Sequence, residues 1–184
     1  MKPESLQGNL DFRLMCVEFL IRDWVRPPIR ILREAGVQSG MTVLDFGCGP
    51  GSFSFSAAKL TGPDGLVYAV DNHPLALKFV RRSMNKQKFK NIQVLSGADM
   101  AKVPQGSVDL VLLYDVLHEL SEPHAVLTEL QRVLKPNGVL SVRDHHLKET
   151  PLVSGITSGD LFRCAGSEWG IFRFLKVSTR GAAF

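Results

Sequence analysis

The sequence predicts an α/β protein built on a doubly wound, mostly parallel sheet, and three observations predict it. Apolar, strand-like runs near 42–46, 66–70, 92–95, 108–114 and 138–143 alternate with helical patterns near 51–60, 74–86 and 122–134. The first run ends in an acid, Asp45, and a turn carrying Gly47, Gly49 and Gly51 before a helix begins. The second run ends in Asp71, 20 residues beyond Gly51, where an open α/β sheet places the acid that accepts from ribose hydroxyls.

The elements before that core are helical. Residues 9–26 carry Leu10, Phe12, Leu14, Met15, Val17, Phe19, Leu20, Ile21, Trp24 and Val25, too many apolar side chains for a one-sided surface helix. Pro27-Pro28 breaks the chain, and IRILREAGV forms a second helix ending at Gly36. Next comes VLDFGCGPGSFSFS, Val43 to Ser56, a strand that stops in a glycine turn and reopens as a helix. Only glycine lets a backbone approach a ligand so closely.

The acid at the mouth of that turn selects among ligands. A dinucleotide fingerprint would put its third glycine at position 52, which is Ser52. A carboxylate at Asp45 repels a pyrophosphate and favours a cationic ligand. S-adenosylmethionine, with an ammonium, a sulfonium and no phosphate, satisfies both conditions. DFGCGPG resembles the first motif of the class I S-adenosylmethionine-dependent methyltransferases, in the small-molecule group of ubiquinone and menaquinone biosynthesis.

Three further segments carry the same resemblance in the same order. LVYAVDNHP gives Asp71 the ribose role, with Asn72 either lining the adenine edge or capping the helix before Pro74. NIQVLSGADM resembles the loop in which Asp99 accepts from the adenine amino group and Ala98 or Met100 packs on the ring. SVDLVLLYDVLHEL ends in Tyr114, Asp115 and Val116, which resemble the fourth motif, the floor beneath the methionine part of the cofactor. With Asp45, Gly47, Cys48, Gly49 and Gly51 these residues form the expected cofactor site, and S-adenosylhomocysteine is the expected product. The resemblance covers roughly residues 38–177 and implies a Rossmann-like, seven-stranded sheet of order 3-2-1-4-5-7-6 with the last strand antiparallel. It also implies a domain organisation. Residues 1–36 form a helical lid over the cofactor, or a helix packed simply on the sheet, and 37–184 form the core of a single domain.

The end of the chain follows from local signals. Leu134-Lys135-Pro136-Asn137-Gly138 stops the preceding helix and launches VLSVRD. GIFRFLKV reads as the antiparallel strand, with DLFRCAGSEW as its hairpin partner. HLKETPLVSGITSG, between them and the fifth strand, is short for the usual fifth helix. A trimmed connection and an open substrate side are expected there.

Composition narrows the function classes. At 184 residues, with 45% hydrophobic and 22% charged content, the chain has the make-up of one soluble domain. No apolar run reaches the ~18 residues of a membrane span, and Glu4 and Asp11 interrupt the start where a signal peptide would be apolar, so a cytoplasmic location is expected. Cys16, Cys48 and Cys164 lack the spacing of a zinc site and read as free thiols, so no metal is expected. The net charge of +4 concentrates at Arg81, Arg82, Lys86, Lys88 and Lys90, where only Phe79 and Phe89 interleave. That pattern reads as a solvated helix face rather than a nucleic-acid footprint.

Methyl transfer from a sulfonium needs alignment of an acceptor, and a base only where the acceptor must lose a proton. His118, a few residues after the fourth strand, is the first candidate base, or else begins a helix. His145 and His146, after Asp144, are the second. Adjacent residues of a strand point to opposite sides, so one of these two at most is expected to face the pocket. The expected function is methyl transfer to a small-molecule acceptor. The alternatives are a catalytically silent cofactor-binding partner subunit and an RNA or protein methyltransferase.

Overall fold

The computed structural model describes residues 27–177, so residues 1–26 of the expected 1–36 lid lie outside the described residues. Seven strands form one sheet in the order β3-β2-β1-β4-β5-β7-β6, as the resemblance implies. They are β1 Thr42–Phe46, β2 Leu66–Asp71, β3 Ile92–Ser96, β4 Val108–Tyr114, β5 Leu134–Arg143, β6 Phe162–Glu168 and β7 Ile171–Lys176. Strands β1 to β5 pair in parallel, and β7 runs antiparallel to both β5 and β6. The central strand β1 sits with Val43 level with Val67 on one side and Leu110 on the other.

Two apolar layers sandwich that sheet because strand side chains alternate between its faces. Val43, Leu110 and Leu112 join one buried cluster, and Leu44, Val111 and Leu113 the other. The first face is covered by α1 Pro28–Glu34, α2 Ser52–Thr61 and α3 Pro74–Gln87, through Ile31, Leu32, Phe53, Ala57 and Val80. The second is covered by α4 Pro123–Val133 and α5 Glu149–Thr157, through Leu127, Leu130, Leu152 and Ile156. Each of the helices α1, α3 and α4 opens with a proline in its first turn, where the missing N–H has no partner to lose.

Three local expectations are corrected. The cap of α3 is His73, whose ring Nδ1 accepts from Leu75 N–H, and not Asn72. Asn72 Oδ1 instead accepts the Gly97 N–H at 3.1 Å and ties the loop after β3 to the end of β2. Strand β5 starts at Leu134 rather than near 138, because Leu134 already pairs with Val108 before residues 135–138 bulge out and Val139 resumes opposite Leu110. The segment after β5 is not a bare connection. It folds as the nine-residue α5, held by Leu152 and Ile156, four residues apart and both buried.

The basic residues of α3 are solvated. Lys78, Arg81, Arg82 and Lys86 are exposed on α3, and Lys88 and Lys90 just beyond it. They lie on the sheet face opposite α4 and α5.

Candidate functional site

The glycine turn is set by backbone need. Gly47, Gly49 and Gly51 all have positive φ, at 76°, 51° and 89°. A Cβ on Gly47 would lie 2.3 Å from Val116 Cγ2, so the end of β1 and the loop after β4 touch only because the side chain is missing. Gly47 and Cys48 donate to Val70 O at 2.8 and 3.0 Å, and Gly51 caps α2. The turn therefore spans the ends of β1 and β2, at the carboxyl edge of the sheet.

Two acids hold this turn in different ways. Asp71 Oδ2 accepts the Gly49 N–H at 2.8 Å and Oδ1 accepts the His73 N–H at 2.7 Å. Asp45 is buried and accepts from the Ser54 hydroxyl in the first turn of α2. Cys48 is buried between these acids. Burial, then the negative charges of Asp45 and Asp71, push its thiol far above the ordinary range, so it stays protonated and serves as a small packing group.

Around the loop after β3 the expected residues separate. Asp99 closes a capping box with Ser96, accepting from its hydroxyl at 2.6 Å and its N–H at 3.3 Å, and its other oxygen pairs with Lys102 Nζ at 2.7 Å. Met100 is buried in the core, whereas Ala98 is exposed. Of the two residues expected to pack on an adenine, only Ala98 presents its side chain to solvent.

The end of β4 divides similarly. The ring of Tyr114 is buried edge-on to Phe53, with its hydroxyl 2.8 Å from Ser141 Oγ, and burial raises its pKa well beyond the usual range. Its side chain thus belongs to the core. Asp115 follows with φ 57°, an uncommon conformation held by its N–H on Arg143 O at 2.7 Å. Its carboxylate takes the N–H of His145 at 3.2 Å and pairs with that ring's Nδ1.

Two of the candidate histidines, His118 and His146, meet at a second acid. Asp144, directly after β5, has a fully buried side chain and accepts from His118 through Oδ2, from Nδ1 at 2.8 Å and from the backbone N–H at 3.2 Å. Its Oδ1 accepts the His146 N–H at 3.0 Å. Burial alone pushes the Asp144 carboxyl up, but the His118 ring and the two backbone donors outweigh it and leave the pKa below the ordinary value. An ionised carboxylate only accepts, so His118 Nδ1 carries the hydrogen of this bond, and in the neutral ring Nε2 is the acceptor. The Glu119 carboxylate, 3.7 Å from Nε2 on an exposed side chain, is beyond hydrogen-bond range.

His145 and His146 do not diverge as strand neighbours would. The strand has already ended at Arg143, and their rings stack at 4.8 Å and 25°. His146 also lies 4.2 Å, centroid to centroid, from His118. Of these three, His118 alone lines a cavity of about 400 Å³ between α4 and α5. Leu117, Leu127, Leu147 and Pro151 are among its walls. Among the described residues no group of three or more His, Cys, Asp or Glu is placed to hold a metal ion.

Asp144 was missed as the partner of His118, although an acid closing a strand and preceding two histidines was a usable signal. The cavity walls on α5 left no such trace, because the helix itself was unexpected.

A family described as "Methyltransferase domain" matches residues 37–167, most of the chain. The chain belongs to that methyltransferase family. It is 31% identical over 144 residues to a demethylmenaquinone methyltransferase of Lactococcus lactis, covering 77% of this chain and 56% of that protein. The chain thus spans little more than half the length of this relative. A SAM dependent methyltransferase from Aquifex aeolicus superposes with a TM-score of 0.72 at 29% identity, over 81% of this chain and 89% of that one. An arsenic(III) S-adenosylmethionine methyltransferase from Chlamydomonas reinhardtii is 32% identical with a TM-score of 0.53, over 59% of this chain and 40% of that one.

Proposed function

We propose that the chain transfers the methyl group of S-adenosylmethionine to an apolar small molecule held beside His118, leaving S-adenosylhomocysteine. The observation that carries this reading is the Asp144–His118 pair at the carboxyl edge of the sheet, with His118 opening on a cavity of about 400 Å³. That volume lies in the usual range for small-molecule sites.

The residues present fit the cofactor. Each oxygen of Asp71 takes one N–H, and a carboxylate offers about four acceptor positions, so two ribose hydroxyls can still be accommodated. Gly47, Cys48, Gly49 and Gly51 would admit the methionine part close to the backbone, with Asp45 supplying negative charge behind the turn and Asp115 and Val116 lying across from it. Ala98, Asp99 and Asn72 would border the adenine. When bound, S-adenosylmethionine supplies a methyl group on a positively charged sulfur that leaves as a neutral thioether.

The protein's own part is alignment and proton removal. His118 Nε2 accepts the proton of an acceptor hydroxyl as that acceptor attacks, and Asp144 stabilises the imidazolium and holds the ring in place. His146 packs on the ring from one side, and His145, anchored by Asp115, backs it. Relatives named as demethylmenaquinone methyltransferases support a small-molecule acceptor. A thiophilic acceptor has less support: Cys48 is held protonated and Cys164 is exposed on β6.

Isothermal titration with S-adenosylmethionine, S-adenosylhomocysteine and NAD⁺ in parallel tests the class. Binding of both adenosyl ligands without NAD⁺ is expected. Binding of NAD⁺ alone, or of none, would overturn the proposal.

A further inference from the structure

Glycine inside a helix is destabilising relative to alanine, so a glycine at such a position needs a reason. Among the described residues fourteen glycines occur, and thirteen have a reason in the fold. Nine have positive φ: Gly36, Gly40, Gly47, Gly49, Gly51, Gly62, Gly106, Gly166 and Gly170. At Gly65, Gly97, Gly138 and Gly159 a Cβ would lie within 2.8 Å of another atom. Gly155 meets neither condition. It sits in the last turn of α5 without positive φ, and the nearest atom to its would-be Cβ is Leu117 Cδ2 at an ordinary 3.8 Å.

What Gly155 does border is the cavity beside His118. The residues around that cavity include no Asp, Glu, Lys or Arg, and most of its side chains are apolar. Leu117, immediately before the candidate base, lies across from the missing side chain. We infer that Gly155 is a specificity-determining residue, whose bare backbone leaves room on the α5 wall for the uncharged apolar body of the methyl acceptor next to His118. The inference rests on the reading of this cavity as the acceptor site. It makes stability and binding move in opposite directions on substitution. A residue kept for packing alone would not do this.

The test uses the full chain and the variants Gly155→Ala and Gly155→Leu, with the uncharged fluorophore N-phenyl-1-naphthylamine as an apolar probe. Gly155→Ala should melt about 2–4 °C higher than the native chain, as expected for removing a helical glycine from a domain of this size. Probe affinity should fall about two- to fivefold in Gly155→Ala and at least tenfold in Gly155→Leu, as a side chain takes up the cavity. S-adenosylhomocysteine affinity should be unchanged in both.

Equal probe binding by native chain and variants, no probe binding by the native chain, or a lower melting temperature for Gly155→Ala would overturn the inference. If Gly155→Leu does not fold, the alanine variant decides alone. Loss of probe binding as expected in a chain that never binds S-adenosylhomocysteine would instead sink the methyl-transfer reading, and the acceptor role with it, leaving Gly155 only as a wall of an apolar binding cavity.

Discussion

His118 Nδ1 lies 2.8 Å from Oδ2 of Asp144, and the same oxygen takes the His118 backbone N–H at 3.2 Å. One buried acid thus fixes both the ring and the main chain of the residue that faces the cavity. Replacing His118 by Ala should lower the transfer rate about 10²–10⁴-fold, the usual contribution of a general base, with little change in S-adenosylhomocysteine affinity. Native rates with an authentic acceptor would reduce His118 to a packing residue.

Asp144→Ala strands the His118 and His146 donors and should cost about 1–3 kcal/mol in urea unfolding at neutral pH. The sign of its pH dependence follows from the lowered pKa. A carboxyl whose folded pKa lies below its unfolded value contributes stability above the ordinary carboxylate range, and that contribution disappears as pH falls through the folded value. The stability gap between native chain and variant should therefore be largest near neutrality and narrow in acid. A gap that widens on acidification would contradict this assignment.

Asp71 bridges the glycine turn and the start of α3, so its role can be separated from that of the base. Asp71→Ala should weaken S-adenosylmethionine binding by about 1–3 kcal/mol, roughly five- to 150-fold, without altering the His118 pair. Titration calorimetry on a folded variant decides the point. Unchanged affinity would mean that another group takes the ribose.

Asp99 offers a pH measurement on the adenine side. Lys102, then the Ser96 hydroxyl and N–H, hold its carboxyl at about 2, below the ordinary aspartate value. The stabilisation is present above an unfolded value of about 3.9 and is lost as pH falls toward the folded one. Carbon-detected NMR titration should find the low value in the native chain and a rise toward the ordinary one in Lys102→Ala. A normal native value would show that the Lys102 pair and the capping box do not hold this carboxylate in solution.

Much of the fold and the turn was legible because the signals are local. Asp45 with its glycines, Asp71 at a strand end and the apolar run before Tyr114 each announce an element within a few residues. The sheet order came from resemblance, since no local rule puts β7 between β5 and β6. What was not legible depends on contacts across the chain. Asn72 looked like a cap because its partner, Gly97, is 25 residues away. Helix α5 was hidden by length alone, although Leu152 and Ile156 carried its spacing. The Asp144–His118 pair joins two strand ends 26 residues apart, and only the parallel pairing of β4 with β5 brings them together.

That same juxtaposition of strand ends governs Gly47 and Val116. Alanine at 47 meets two separate obstacles: a left-handed backbone at φ 76° and a Cβ 2.3 Å from Val116 Cγ2. The first costs about 1–2 kcal/mol and no change elsewhere can remove it. The second is a clash with the end of a side chain, so Val116→Ala should relieve it. Gly47→Ala is therefore expected to destabilise the fold by more than the backbone term. The double variant Gly47→Ala/Val116→Ala should be more stable than the two single losses predict, by a coupling of about 0.5–3 kcal/mol in a denaturant-unfolding cycle. Strict additivity would show that the turn shifts away from Val116 on its own. The close approach of β1 to the loop after β4 would then not be what requires glycine there.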